Sequence, residues 1–228
     1  MSKIETFMFN GYEATVIIPE NPNGKWIWKT EFLYAFDQAE RALLDEGYTR
    51  VYYGISDKYG SYNAVRLMRK FYAYIIERFS LNKKCMLFGF SRGGLYAFNF
   101  ALFYPEYVEK VYLDAPVLDL KTWPPKGSIE QTQMFEEYGL NEEMLKTFKG
   151  NPIDNLKEFF ELSIPLLIIA GGKDEIVPFD KNAGNLMQYC KDNRIDIDSI
   201  VKEDCKHHPH SLEDVKPIID FIKNYKEN

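Results

Sequence analysis

The residues Gly89-Phe90-Ser91-Arg92-Gly93-Gly94 stand directly behind the apolar run Cys85-Met86-Leu87-Phe88, and their spacing suits attack on a carbonyl. The pattern is G-x-S-x-G at the end of a candidate strand and the start of a candidate helix. A nucleophilic serine must stand proud of the sheet, so the chain turns sharply there and strains the serine backbone. Positions two before and two after that serine press against neighbouring backbone, and a Cβ there would clash, hence glycine at both. The following helix would aim its free N–H groups at the site, where they can receive a developing oxyanion. Two glycines in five residues also match by chance in many chains. The strand–turn–helix context is what distinguishes this one.

A serine nucleophile needs a base, and the base needs an orienting acid. All three histidines, His207, His208 and His210, fall in Lys206-His207-His208-Pro209-His210-Ser211. That loop follows the last expected strand and would sit at the sheet edge that carries Ser91. We take His207 as the base, with His208 as its alternative. Asp174 follows the strand 164–170 through Gly171-Gly172-Lys173 and supplies the acid. The chain order Ser, Asp, His supports it. Asp114, at the end of the strand 108–113, is the rival acid, and Asp174 could instead be a turn cap before Val177-Pro178. The histidines could be solvated or could hold a metal. Pro209 and the lack of a nearby spaced acid weigh against a metal, so none is expected. For the oxyanion, one donor is the backbone N–H of Arg92 and the other belongs to Trp28 or Lys29, after the strand 25–28. Trp26 and Trp28 at strand alternation could equally be core. The Arg92 side chain could form a structural ion pair or bind an acidic substrate group.

The elements that must position these groups alternate. Strands are expected at 14–18, 25–28, 50–54, 85–88, 108–113, 164–170 and 195–201, the more apolar of them suited to burial on both faces. Helices are expected at 35–46, along the face Val65, Met68, Tyr72, Ile75 and Phe79, from about Arg92 to before Pro105, and at 182–191 and 215–225. That order predicts an α/β fold with a doubly wound, mostly parallel sheet. The stretch 116–163 breaks the alternation. It carries Trp123-Pro124-Pro125 and then polar helical segments, and we read it as a helical cap over the carboxyl ends of the strands, the alternative being an ordinary helical crossover.

Composition agrees with one globular domain. The chain has 228 residues, 46% of them hydrophobic and 16% aromatic, too apolar for disorder. A net charge of −6 argues against nucleic-acid or anionic-membrane partners. Cys85, Cys190 and Cys205 are odd in number and widely spaced, so neither a disulfide framework nor a zinc motif emerges. No signal peptide or membrane span is visible, which makes the cytoplasm the expected location.

Taken together, the elbow, the segment Gly171-Gly172-Lys173-Asp174-Glu175-Ile176-Val177-Pro178 and the His207 loop resemble the α/β-hydrolase superfamily over nearly the whole chain. Within it the chain is similar to small bacterial esterase-like hydrolases, through Ser91-Arg92-Gly93-Gly94-Leu95-Tyr96-Ala97 and His207-His208-Pro209-His210-Ser211-Leu212. That group usually has Gly-His at the catalytic histidine, where this chain has Lys206-His207. The resemblance implies hydrolysis of a small carboxylic ester, carbohydrate O-acyl esters among them, through a Ser91–His207–Asp174 triad and without a cofactor. A serine peptidase of prolyl-oligopeptidase type and a non-catalytic binding protein on the same fold are the alternatives.

Overall fold

The computed structural model describes residues 2–224. Its centre is an eight-stranded sheet in the order β1-β2-β4-β3-β5-β6-β7-β8. The strands are β1 (Lys3–Phe9), β2 (Tyr12–Ile18), β3 (Trp26–Lys29), β4 (Thr49–Tyr53), β5 (Cys85–Phe90), β6 (Val108–Asp114), β7 (Leu166–Gly171) and β8 (Asp198–Lys202). β2 pairs antiparallel with both β1 and β4, and every pairing from β4 to β8 is parallel. The doubly wound, mostly parallel α/β sheet expected from the sequence is therefore present.

Side-chain alternation divides the core into two layers. Trp26, Trp28, Leu87, Val111, Leu113 and Ile168 point into one cluster, packed with the helices α2 (Tyr62–Arg78) and α3 (Gly93–Phe103). Ile27, Met86, Phe88, Tyr112, Leu167 and Ile169 point into the other, beneath α1 (Gln38–Asp45) and α8 (Lys216–Lys223). A strand with both faces apolar has no polar row for solvent, which is why these runs read as continuous hydrophobics. α3 is apolar around its whole circumference and nearly every residue of it is buried.

Several boundaries differ from the expected ones. β1 is an additional strand, joined to β2 by Asn10-Gly11 with φ of 45° and 84°, the left-handed pair that a two-residue hairpin requires. α1 begins at Gln38 rather than at 35, because Phe32 and Phe36 take positive φ and hold the preceding segment in turns. α8 runs to Lys223, and Tyr225, where the expected helix ended, lies outside the described residues.

The stretch 116–163 contains α4 (Ile129–Tyr138), α5 (Glu142–Thr147) and α6 (Leu156–Glu161). α4 is stitched to the loop beyond β4. Ser61 Oγ donates to Glu137 Oε1 at 2.6 Å, Tyr59 to Gln133 Oε1 at 2.7 Å, and Tyr138 to the Tyr59 carbonyl at 2.9 Å. α6 joins the core, where Phe159 stacks on Phe98 with centroids 4.3 Å apart. The remaining helix, α7 (Ala183–Asn193), lies between β7 and β8 in the chain. Among the described residues no helix is long and apolar enough to cross a membrane.

Candidate active site

Ser91 sits at the turn between β5 and α3 with φ of 49°, a left-handed conformation that costs an L-residue about 1–2 kcal/mol. The surroundings hold it there. Its N–H donates to the Asp114 carbonyl at 2.9 Å, and its carbonyl accepts from Gly94 at 3.0 Å and Val117 at 2.8 Å. The glycines are required by contact. A Cβ on Gly89 would stand 2.8 Å from Ala97 Cβ, and one on Gly93 would stand 2.9 Å from Thr30 Oγ1. A Cβ on Gly94 would stand 2.5 Å from Pro116 Cβ.

The structure brings Ser91, His207 and Asp174 into one hydrogen-bonded line. Ser91 Oγ lies 3.0 Å from His207 Nε2, and His207 Nδ1 lies 2.7 Å from Asp174 Oδ2. With the imidazole proton on Nδ1, donated to Asp174, the Nε2 lone pair is left to accept the Ser91 hydroxyl. The carboxylate is itself fixed, because Asp174 Oδ1 accepts from the N–H groups of Ile176 at 3.0 Å and Val177 at 2.9 Å. All three residues are buried. The arrangement can take a proton from a serine hydroxyl and stabilise the imidazolium that results.

Gly171-Gly172 explains how two separate loops meet. A Cβ on Gly171 would fall 2.1 Å from the Lys206 carbonyl oxygen, and one on Gly172 would fall 2.9 Å from that of Glu203. With no side chains there, Gly172 N–H reaches the Lys202 carbonyl at 3.0 Å and Lys173 N–H reaches the Cys205 carbonyl at 2.9 Å. The acid-bearing loop is thereby laced to the histidine-bearing loop.

The other sequence candidates are placed differently. Asp114 does not face His207. It accepts from His210 Nδ1 at 2.7 Å, Ser211 N–H at 2.9 Å and the Tyr112 hydroxyl at 2.5 Å, forming a second buried acid–histidine pair behind the first. His208 is exposed and stacks on Phe36, 5.9 Å between centroids. Partial desolvation of the ring, and then the neighbouring His210 and His207, hold its imidazole below the ordinary value.

The assignment of Trp28 or Lys29 as an oxyanion donor is corrected. Both lie within β3, hydrogen-bonded between β4 and β5, so their N–H groups serve the sheet. The ladder even extends one residue further, since Thr30 N–H donates to the Phe88 carbonyl at 3.0 Å. The Trp28 indole packs in the core on Trp26, and the Lys29 ammonium is buried against Glu40 Oε1 at 2.5 Å and the Ala35 carbonyl at 2.6 Å. The first backbone N–H groups past the ladder belong to Glu31 and Phe32. Arg92 stands at the head of α3, where first-turn N–H groups lack helical partners.

A polar group not apparent in the sequence adjoins this corner. Glu31 is buried and accepts from Ser56 Oγ at 2.9 Å and Arg92 Nη2 at 3.4 Å, while its other oxygen and Arg92 Nε are buried without partners among the described residues. Burial pushes the Glu31 carboxyl up, and the Arg92 charge opposes that shift. Ser56, Glu31 and Arg92 are too far apart in the chain for any spacing rule to join them.

Residues 46–228 match the model of the prolyl oligopeptidase family. No curated protein matches the chain. Among solved structures, the fluorophosphonate-binding serine hydrolase F of Staphylococcus aureus superposes with a TM-score of 0.70 at 15% identity, covering 91% of this chain and 92% of that one. The S-formylglutathione hydrolase of the same organism gives 0.69 at 16% identity, with 98% and 96% covered. Porphyromonas gingivalis dipeptidyl peptidase 4 gives 0.67 at 14% identity over 90% of this chain, which spans 32% of that protein's length.

Proposed function

The chain belongs to the prolyl oligopeptidase family of serine hydrolases, and from that premise we propose that it cleaves a small carboxylic ester through an acyl-enzyme on Ser91. The observation that carries the reading is the continuous line from Ser91 Oγ through His207 to Asp174, at 3.0 and 2.7 Å.

In this mechanism Ser91 Oγ attacks the ester carbonyl carbon while His207 Nε2 takes its proton. Asp174 holds the Nδ1 proton and balances the imidazolium. The oxyanion receives the Arg92 backbone N–H and one from the Glu31–Phe32 segment. Collapse expels the alkoxide, which takes the proton from His207. A water molecule, deprotonated by the same nitrogen, then attacks the acyl carbon, and the carboxylic acid leaves as Ser91 regains its proton.

An ester asks less of this machinery than a peptide bond, because an alkoxide departs more readily than an amide anion and a peptide nitrogen must be protonated before it can leave. The carbon skeleton is expected to be short. α4 and the Trp123 segment are tied to the loop beyond β4, and we read them as a roof of aromatic side chains over the acyl pocket, which excludes long chains by volume. Family kinship keeps a peptidase reading in view. An enzyme selecting a free amino terminus needs an unopposed acid for the ammonium, and Glu31, the buried acid beside the elbow, is already matched by Arg92.

A fluorophosphonate probe should label Ser91 and no other residue, as read by peptide mapping. Among p-nitrophenyl esters, turnover should peak between acetyl and butyryl and decline by octanoyl, with aminoacyl-nitroanilides cleaved far more slowly. Faster cleavage of the anilides would replace the esterase reading with the peptidase one. Labelling at Ser56 or Ser61 would refute both.

A further inference from the structure

The hydrolytic line uses one of three histidines whose rings meet pairwise at 4.8–4.9 Å between centroids. One donor nitrogen from each of His207, His208 and His210 lies within 4.8 Å of the others. Two of the rings already carry what metal-binding imidazoles require behind them. Asp174 accepts from Nδ1 of His207 and Asp114 from Nδ1 of His210, each at 2.7 Å. A carboxylate on one ring nitrogen fixes the tautomer and turns the other nitrogen's lone pair outward, as in carboxylate–histidine–metal arrangements. Neither acid is a sequence neighbour of these histidines; the fold delivers Asp114 from the end of β6 and Asp174 from the loop after β7.

We propose that His207, His208 and His210 form an inhibitory site for a borderline-soft divalent cation of the zinc class, built over the catalytic base. The cation takes the lone pair of His207 Nε2, the same pair that accepts the Ser91 proton, so an occupied site leaves the serine hydroxyl without a base. Neutral imidazoles suit zinc and copper, and hard magnesium prefers oxygen ligands. Tetrahedral ligation with Zn–N bonds of about 2.0–2.1 Å places the nitrogens about 3.4 Å apart. His208, on the exposed side of the cluster, can turn off Phe36 and bring its nitrogen toward the other two. Its place in the cluster is otherwise unexplained by the hydrolytic line. The inhibition, though not the binding, rests on the reading of His207 as base.

The test uses the untagged full chain and two readouts. Calorimetry with zinc chloride on Ser91→Ala measures binding without reference to catalysis. The rate at which a fluorophosphonate labels Ser91, with and without zinc, measures the base. The expected result is one zinc per chain, labelling slowed in proportion to occupancy and restored by EDTA, copper acting at lower concentration, and magnesium without effect. His208→Ala, introduced into each protein and referred to its own metal-free rate, should weaken binding and inhibition together by about 10- to 100-fold. Absence of stoichiometric binding, or unchanged affinity in His208→Ala, would overturn the site. Binding lost in Cys205→Ser and kept in His208→Ala would assign the ion to the thiol and overturn it equally. Binding without slowed labelling would overturn the inhibition. If Ser91 fails to label even without metal, the hydrolase reading fails, and calorimetry alone still decides the metal site.

Discussion

Two buried acid–histidine pairs lie side by side, and only one of them reaches a nucleophile. Asp174 spends its second oxygen on two backbone N–H groups of its own loop, so its free oxygen is aimed at His207 with little freedom. Asp114 spends both oxygens on β6, His210 and Ser211. Asp174→Asn should therefore lower kcat by about 10,000-fold, because an amide favours the wrong imidazole tautomer, while the circular dichroism stays native. Asp114→Asn should cost kcat much less and act mainly on stability, since it leaves His210 buried without its acceptor. The reverse ranking would move the acid to β6. The convergence of Ser91, His207 and Asp174 was legible because the elbow is a local contact problem, written in glycines, and because Asp174 and His207 follow strand ends in a fixed order. That Trp28 and Lys29 lie inside the β3 ladder was not legible. Where β3 stops is set at a distance, since the ladder continues past Trp28 and Lys29 to Thr30, whose N–H donates to the Phe88 carbonyl fifty-eight residues away.

At the scale of elements, the approach of the β7 end to the histidine loop is set by one missing side chain. Gly171→Ala should push the 205–207 backbone outward, costing about 1–3 kcal/mol in overpacking and lowering kcat more than stability alone explains. Gly139→Ala is the control. Gly139 has φ of 64° and nothing within 4 Å of its added Cβ, so strain should reduce stability and leave kcat alone. Urea unfolding beside initial rates separates the two, and equal loss of kcat in both would refute the lacing of the loops.

β3 and α1 make a second such joint through Lys29 and Glu40. Burial lowers the Lys29 ammonium and raises the Glu40 carboxyl from 4.5, and their mutual attraction opposes both shifts. Lys29→Met leaves an unpaired buried carboxyl and should cost about 3–5 kcal/mol at neutral pH. Because the folded-state value is then raised still further, the penalty should be absent below pH 4.5 and grow as pH rises toward the folded-state value. Adding Glu40→Leu should recover most of the loss. A penalty independent of pH would show that packing, not charge, is responsible. The parallel strands here were readable as apolar runs bounded by glycine and proline. β1 was not singled out, although Asn10-Gly11 signalled a hairpin, because its outer face carries Ile4 and Met8 in the open and blurs the alternation. The Glu31–Ser56–Arg92 group is invisible in one dimension for a different reason, since contacts between distant loops leave no periodicity.

Across the whole molecule the site draws on strands of unequal security. β5 and β7 have neighbours on both sides and are buried along their length, whereas β8 pairs only with β7 at the sheet's edge and is partly exposed throughout. His207 follows β8. Amide exchange should therefore be faster in β8 than in β5, and activity in rising urea should vanish at a lower midpoint than the fluorescence of the central, buried Trp26 and Trp28. Coincident midpoints would mean that the edge opens only with the whole. The position of His207 gives the protein an internal strain gauge. A population can look native to every spectroscopic probe of its centre while a fraction has lost the Ser91–His207 contact at the rim, and substrate turnover is the measurement that counts that fraction.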